Sequence, residues 1–347
     1  MSRQRPLTTP AALAEAGLVT ADEAETLAPV AARYAIAVTP FLAGRIDRGD
    51  PADPIARMFV PHPDELTRLP EELADPIGDE PHSPVPGIVH RYPDRVLLKP
   101  VAVCPVYCRF CFRREMVGPE LGETLSPGAL EAALDYVRSR PEVREVILTG
   151  GDPFMLSAAR AKALTAAIAS IPQVEVIRWH TRMPVADPAR VTPAFVEALK
   201  APGKAVYVSI HINHVREMSA ETRAAAARLA DAGFPLLSQT VLLHGVNDSA
   251  DALADLMQAL VAARIRPYYL HHPDLAPGTG HFRLSVEDGQ ALYSALRDRV
   301  AGLALPHYVI DIPGGVSKAN AAPSDVVETP DGRALRGRDG KLHPYKG

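Results

Sequence analysis

Residues 145–179, EVILTGGDPFMLSAARAKALTAAIASIPQVEVIRW, predict a strand, a helix and a second strand in that order. The two ends, 145–149 and 175–179, are short β-rich runs, and the alanine-rich stretch 157–170 between them is amphipathic. A strand, a helix and a second strand form a βαβ unit, which places both strands parallel in one sheet. This segment therefore predicts an α/β fold.

The same alternation continues along most of the chain. Further strands are predicted at 96–101, 205–211, 235–241, 266–270 and 307–311, and helices at 126–138, 192–199, 219–232, 249–263 and 285–301. This number of units favours a partial or complete (β/α) barrel, with a doubly wound open sheet as the alternative. We expect a partial barrel.

Three regions are expected along the chain. Residues 1–85 form a helical, proline-rich region that wraps around the barrel, with Thr9 and Thr20 as candidate helix caps. Residues 86–318 form the barrel itself. Residues 319–347 contain two Asp-Gly turn signals and predict a small hairpin appendage.

Composition narrows the function classes. The formal net charge is −4 without long charged runs, so neither nucleic acid nor a membrane surface is expected as a partner. No apolar stretch reaches the ~20 residues of a membrane span, and the N-terminus lacks the apolar core of a signal peptide. The only three cysteines are clustered, which fits a reducing compartment, so we expect a cytoplasmic protein.

Polar and unusual residues follow the predicted strands, where active sites of parallel α/β folds lie. We expect one mouth lined by Cys104 to Cys111, Gly150 to Asp152, His180, Arg182, His211, Asn213, Gln239, His271 to Asp274, Asp311 and Lys318.

The cysteines Cys104, Cys108 and Cys111 have the spacing C-x3-C-x2-C in CPVYCRFCFRR, residues 104–114. Closed zinc and ordinary iron–sulfur sites use four ligands, whereas three thiolates on a cubane cluster leave one iron open to a small molecule. A chance grouping of reduced thiols and a Cys3His zinc site are the alternatives. The following LTGGDP, residues 148–153, places glycines where a backbone can approach a ligand, although a plain strand-to-helix turn would look the same.

The cysteine spacing directly after the first barrel strand resembles the signature of radical S-adenosylmethionine enzymes. The resemblance implies that the three cysteines hold a [4Fe-4S] cluster whose open iron binds S-adenosylmethionine. It also implies that Gly150, Gly151 and Asp152 bind the amino group of that cosubstrate.

Seven segments in order narrow the resemblance, over about Val85 to Ser324, to the lysine 2,3-aminomutase group. They are HRYPDRVLL, CRFCFRR, TGGDP, SIHINHVREM, SQTVLLHGVND, YYLHHPDLAPGTGHFR and IDIPGGVSK. The resemblance implies pyridoxal phosphate (PLP) as a second cofactor, with Lys318 as its Schiff-base lysine. It further implies that Arg91, Tyr92 and Arg95 hold the phosphate and that His211 and Gln239 contact the cofactors.

The substrate follows from three charged residues in the same resemblance. Arg113 matches the arginine that binds the α-carboxylate, and Asp274 and Asp311 match the two acids around the ε-ammonium of L-lysine. We therefore expect 2,3-amino migration between L-lysine and β-lysine. An aminomutase for another amino acid, and an iron–sulfur electron-transfer protein without mutase activity, are the alternatives.

Two further expectations concern partners and metals. Because no cysteine lies outside the cluster motif, the zinc sites of the long aminomutases are not expected. The short tail resembles the branch that makes β-lysine for modifying elongation factor P, although that branch need not keep the second aspartate. The resemblance also implies an electron donor such as flavodoxin or ferredoxin, and it allows a homo-oligomer.

Overall fold

The computed structural model describes residues 5–118, 120, 122, 124–330 and 332–345. The strands are β1 Ile88–Tyr92, β2 Arg95–Val101, β3 Glu145–Gly150, β4 Val176–Thr181, β5 Ala205–His211, β6 Leu236–Val241, β7 Ile265–His271, β8 His307–Asp311, β9 Lys318–Asn320, β10 Val326–Thr329, β11 Gly332–Arg336 and β12 Leu342–Pro344. The helices are α1 Pro10–Glu15, α2 Ala21–Thr26, α3 Ala28–Arg33, α4 Pro40–Ala43, α5 Pro54–Phe59, α6 Pro127–Arg138, α7 Ala158–Ala169, α8 Met183–Ala186, α9 Pro193–Ala198, α10 Ala220–Asp231, α11 Ala250–Ala262 and α12 Val286–Arg297.

Strands β1 to β9 form one sheet in chain order. Strands β2 to β8 are parallel, and the two edge strands, β1 and β9, run antiparallel to their neighbours. A side chain bridges the two edges, because the hydroxyl of Tyr92 on β1 accepts a hydrogen bond from the N–H of Lys318 on β9 at 3.1 Å. The α/β fold and the partial barrel are therefore confirmed.

The predicted helices between the parallel strands are confirmed, and serine or threonine caps begin them. The residues whose side chains accept the capping hydrogen bonds are Ser126, Ser157, Thr192, Ser219, Ser249 and Ser285. One helix is shorter than expected: α12 ends at Arg297, because the chain turns there and enters a 3-10 turn at Gly302–Ala304.

The N-terminal region packs onto the barrel and shares its core. Thr9 and Thr20 cap α1 and α2 as predicted. The helical stretch after Thr20 is split at Leu27, where Pro29 cannot continue the hydrogen bonding of α2 and begins α3 instead. Buried side chains of this region, such as Phe59, belong to the same hydrophobic core as the strands. The three-region boundaries stay a prediction.

The C-terminal part contains more strand than the sequence predicts. The expected hairpin, β10 and β11, is extended by β12 into a three-stranded antiparallel sheet. Asp331, in the first Asp-Gly turn, lies outside the described residues. Lys318 begins the short strand β9. Within the described ranges, no helix has both the length and the apolarity to cross a bilayer.

Candidate active site

The cysteine loop, residues 104–111, leaves the carboxyl end of β2 and is bonded to the N-terminal region. The N–H of Tyr107 donates to the carbonyl of Ala37 at 3.1 Å, and the N–H of Arg109 donates to the carbonyl of Met58 at 2.9 Å. The conformation of this loop therefore depends on residues that precede the sheet.

The residues Cys104, Cys108 and Cys111 are half-buried, and their thiols are close enough to influence one another electrostatically. Burial raises the pKa of Cys108 to about 11 and raises the pKa values of Cys104 and Cys111 as well. Among the described residues, no three His, Cys, Asp or Glu side chains converge as a single metal ion requires. The thiols fit a cubane cluster, because each would bind a different iron and the bound cation would stabilise the thiolate.

A buried cluster of charged side chains, Glu65, Arg109 and Arg114, anchors the cysteine loop. The Nε of Arg109 donates to the two carboxylate oxygens of Glu65 at 2.9 and 3.1 Å, and Arg114 pairs with the same carboxylate. Burial opposes ionisation, but Arg109 and Arg114 hold the pKa of Glu65 below its usual value. Arg114 also donates to the carbonyl of Gly278 at 3.0 Å, so the cluster links the loop to the segment after β7.

The segment from Gly150 to Asp152 lies directly against the cysteine loop. The N–H of Gly151 donates to the carbonyl of Val101 at 2.8 Å, and the N–H of Asp152 donates to the carbonyl of Val103 at 3.0 Å. A Cβ on Gly151 would lie 2.3 Å from the carbonyl oxygen of Val103, so this approach requires glycine.

The carboxylate of Asp152 is engaged within the protein. It accepts hydrogen bonds from the N–H of Phe154 at 2.9 Å, the hydroxyl of Thr181 at 2.8 Å and the N–H of Arg182 at 2.7 Å. Burial nevertheless raises its pKa. This carboxylate therefore holds β3 against β4, and its predicted contact with an amino group stays a prediction.

Three cations surround one buried carboxylate, and we call Arg91, Lys99, Arg113 and Asp79 the basic wall. The Nε of Arg113 donates to Asp79 Oδ2 at 2.8 Å, while Arg91 Nη2 and Lys99 Nζ each lie 3.9 Å from an oxygen of that carboxylate. Burial opposes ionisation, but the cations, Arg113 foremost, hold the pKa of Asp79 below its usual value. The wall carries an excess of positive charge, which suits an anionic ligand.

The predicted phosphate-binding residues are only partly in one place. Arg91 belongs to the basic wall and also donates to the carbonyl of Ile77 at 2.8 Å. The guanidinium of Arg95 stacks over the ring of Tyr92 at 3.8 Å and pairs with Asp94 at 2.7 Å. Arg95 begins β2, at the opposite end of the strand from the cysteine loop, and is already paired, whereas Tyr92 reaches the backbone of β9.

Lys318 lies near the basic wall, because its ion-pair partner Asp311 is close to Arg91, and we call the space that these groups line the lumen. Its ammonium pairs with Asp311 and lies 5.9 Å from the ring centre of Tyr269. Asp311 is also 3.6 Å from Nδ1 of His271 and 4.0 Å from Nη1 of Arg91. Burial opposes ionisation, but His271 and Lys318 hold the pKa of Asp311 well below its usual value.

The second predicted substrate acid, Asp274, shares this lumen. Burial, followed by the charge of Asp311, raises the pKa of Asp274 to about 7. Arg113 and Cys111 lie within electrostatic range of Asp274 as well. The structure thus brings both predicted acids, the predicted carboxylate-binding arginine and the cysteine loop together.

Gln239 and His211 face the lumen together with His180. The side-chain nitrogen of Gln239 lies 3.3 Å from Nδ1 of His180, and the rings of His180 and His211 are 6.1 Å apart between centroids. Burial lowers the pKa of His211 to about 3 and lowers that of His180 strongly. Both imidazoles are therefore neutral and can act as hydrogen-bond partners.

Glu65, Asp79 and Lys99 belong to the site but were not predicted from the sequence. Glu65 and Asp79 lie in proline-rich segments without periodicity, so no local signal identifies them. Lys99 did carry a signal, because it is a charge inside an apolar strand, and the alternation of β2 places it opposite the buried Leu98.

Several known proteins resemble this chain in sequence. Residues 98–257 match the family described as the radical SAM superfamily. The chain is 38% identical, over 94% of its length and 78% of the relative, to L-lysine 2,3-aminomutase of Clostridium subterminale. It is 36% identical to L-lysine 2,3-aminomutase of Escherichia coli, over 82% of each chain. It is 34% identical to glutamate 2,3-aminomutase of Clostridioides difficile, over 93% of this chain and 76% of that one.

The fold, the cysteine loop and the superfamily match define a radical SAM enzyme, a class that implies a [4Fe-4S] cluster and S-adenosylmethionine. Within that class, the chain belongs to the lysine 2,3-aminomutase family and is an isomerase. The predicted family and enzyme class are confirmed.

Proposed function

We propose that the protein interconverts L-lysine and β-lysine by moving the amino group between C2 and C3, with PLP as a second cofactor. The observation that carries this proposal is one lumen in which Lys318, Asp274 and Asp311 face the basic wall. An amine, paired carboxylates and clustered cations are the groups needed for an aldehyde cofactor, an ammonium and anionic oxygens.

Each cofactor would supply one part of the chemistry. Cys104, Cys108 and Cys111 would hold the cluster, which together with S-adenosylmethionine would supply radical chemistry at C3. Lys318 would hold PLP, which would supply an aldehyde group for the amino nitrogen. An electron donor of the flavodoxin or ferredoxin class would supply the electron that reduces the cluster.

The chain's own residues position these groups. Lys318 would hold PLP through its amine, and Arg91 with Tyr92 would hold the phosphate. Arg95 would join them only by leaving its ion pair with Asp94. The neutral side chains of His211 and Gln239 offer hydrogen bonds inside the lumen. The carboxylate of Asp152 already accepts hydrogen bonds from within the protein. The backbone carbonyls of Gly150 and Gly151 would therefore accept the hydrogen bonds from the amino group of S-adenosylmethionine.

Substrate selection would follow from two sets of charges in the lumen, Arg113 on one side and the pair Asp274 and Asp311 on the other. Asp79 accepts from Nε of Arg113 at 2.8 Å, and the hydroxyl of Thr149 lies at the outer limit of hydrogen-bond distance, 3.5 Å, from Nη1. The edge formed by the two Nη groups therefore suits a carboxylate as a two-pronged partner. Asp274 and Asp311 favour a cationic side chain and repel the side-chain carboxylate of glutamate. L-Lysine matches both sets, because it has an α-carboxylate for Arg113 and an ε-ammonium for the two acids.

The test is product analysis on anaerobically reconstituted protein given S-adenosylmethionine, PLP, a strong reductant and either L-lysine or L-glutamate. The proposal requires β-lysine without stoichiometric loss of S-adenosylmethionine, and loss of product in Lys318→Ala. Lys162→Ala, an exposed lysine on α7, is the matched control and should keep full activity. β-Glutamate from L-glutamate, with L-lysine unchanged, would contradict the substrate assignment.

A further inference from the structure

Lys99 is a charged residue in the middle of β2, and its side chain faces the lumen. Its neighbours Leu98 and Val96 point the other way and are buried in the core, at 0% and 1% exposure. The Lys99 side chain keeps 24% of its surface accessible. A lysine held on a rigid strand, rather than on a loop, presents its ammonium at a defined place.

The ammonium of Lys99 lacks a hydrogen-bond acceptor within the described part of the chain. Its ion pair with Asp79 Oδ2 is 3.9 Å long, which exceeds hydrogen-bond distance. That oxygen already accepts from Arg113 at 2.8 Å. The side chain is mostly buried, and this burial lowers the pKa of Lys99 despite the opposing charge of Asp79.

The next strand leaves room for this side chain. A Cβ on Gly150 would lie 2.9 Å from the Cβ of Lys99 and 2.7 Å from the carbonyl oxygen of Val101. Gly150 also has φ +107, a conformation that favours glycine. Lys99 therefore stands between the rest of the basic wall and the glycine segment that adjoins the cysteine loop.

We propose that Lys99 is an additional anion-binding residue, whose ammonium donates to a phosphate or carboxylate oxygen of a bound ligand. The proposal deepens the proposed function and rests on it for the identity of two of its candidate ligands. Arg91 also lies 4.0 Å from Asp311 and Arg113 is bonded to Asp79, which leaves the ammonium of Lys99 to bind an anionic group of a ligand. PLP, L-lysine and S-adenosylmethionine each bring one such group.

The test compares each ligand with its analogue that lacks the anion, by equilibrium dialysis against the reconstituted enzyme. The pairs are PLP with pyridoxal, L-lysine with cadaverine, and S-adenosylmethionine with its decarboxylated form. Lys99→Met should weaken one anionic ligand about tenfold or more, because a charge-assisted hydrogen bond is lost, and should change its analogue less than about twofold. The affected pair identifies whether the anion is the phosphate or which carboxylate it is. Lys99→Arg should restore binding, and Lys162→Met is the surface control.

Two outcomes would overturn the proposal. One is Lys99→Met binding every ligand within about twofold of wild type, which would leave Lys99 only as a counter-charge to Asp79. The other is a loss that disappears in an Asp79→Asn background, because Lys99 would then act through Asp79. Wild-type protein that binds S-adenosylmethionine but neither PLP nor L-lysine would refute the proposed function instead, and the S-adenosylmethionine pair would still decide the role of Lys99.

Discussion

Replacing Glu65 by Gln removes the carboxylate that Arg109 and Arg114 share next to the cysteine loop, and nearly preserves the shape of the side chain. Glu65 is 0% exposed and Arg109 is 2% exposed, so solvent screens neither charge. The N–H of His62 donates to the same carboxylate at 2.8 Å. The substitution therefore leaves two guanidinium groups buried without their counter-charge.

The expected cost follows from this burial. Removing one partner of a buried ion pair lowers the free energy of unfolding by about 3–5 kcal/mol, because the remaining charge is uncompensated. The difference from wild type should shrink at acidic pH. Since the folded protein holds the pKa of Glu65 below its usual value, this stabilisation is present above the unfolded-state pKa and is lost as the pH falls through the folded-state pKa.

Urea unfolding of the cluster-free protein, followed by circular dichroism, measures this change. Glu71→Gln is the matched control, because the Glu71 carboxylate is half exposed and pairs with Arg283 at 3.2 Å, an arrangement worth at most about 1 kcal/mol. Glu65→Gln should also retain less iron after reconstitution and gel filtration, because the cysteine loop loses its support. Equal unfolding free energies and equal iron contents in the two variants would refute the reasoning.

Three other predictions concern the lumen. Burial and Asp311 raise the pKa of Asp274 to about 7, so L-lysine should bind more tightly as the pH rises through 7. Binding near neutral pH should then release up to about one proton from Asp274. Calorimetry in buffers of different ionisation enthalpy should detect this proton in wild type but not in Asp274→Asn. Gly78→Ala should destabilise the fold and weaken PLP binding, because the new Cβ would lie 2.3 Å from the carbonyl oxygen of Gly314. Gly203→Ala is the control: Gly203 has a similar positive φ but open space around it, so the substitution should lower the free energy of unfolding by only about 1–2 kcal/mol. An unchanged PLP affinity in Gly78→Ala would contradict this prediction. Cys108→Ala should lose the visible absorbance of the cluster and most bound iron, and full iron content would disprove the ligand assignment.

The repeating units of the barrel were predictable because their signals are local. Strand β5 occupies 205–211 as predicted, and the capped helices begin within a residue of their predicted starts. The edge strands β1 and β9 were missed because they are short and lack alternation. The carboxylate of Asp152 shows a different limit. Its place after a strand is local, but its hydrogen bonds come from Thr181, which ends the neighbouring strand, and from Arg182, which follows it.

By itself, the sequence determined the chemical inventory of this protein and its order along the barrel. Cysteine spacing, alternating strands and helices, and the loop before Lys318 are short-range patterns, so they can be read without coordinates. Only the tertiary structure decided which charges meet. Arg113 pairs with Asp79 across 34 residues, and Arg109 pairs with Glu65 across 44. Such pairs obey no period along the chain, because they depend on how the N-terminal region packs over the mouth of the barrel.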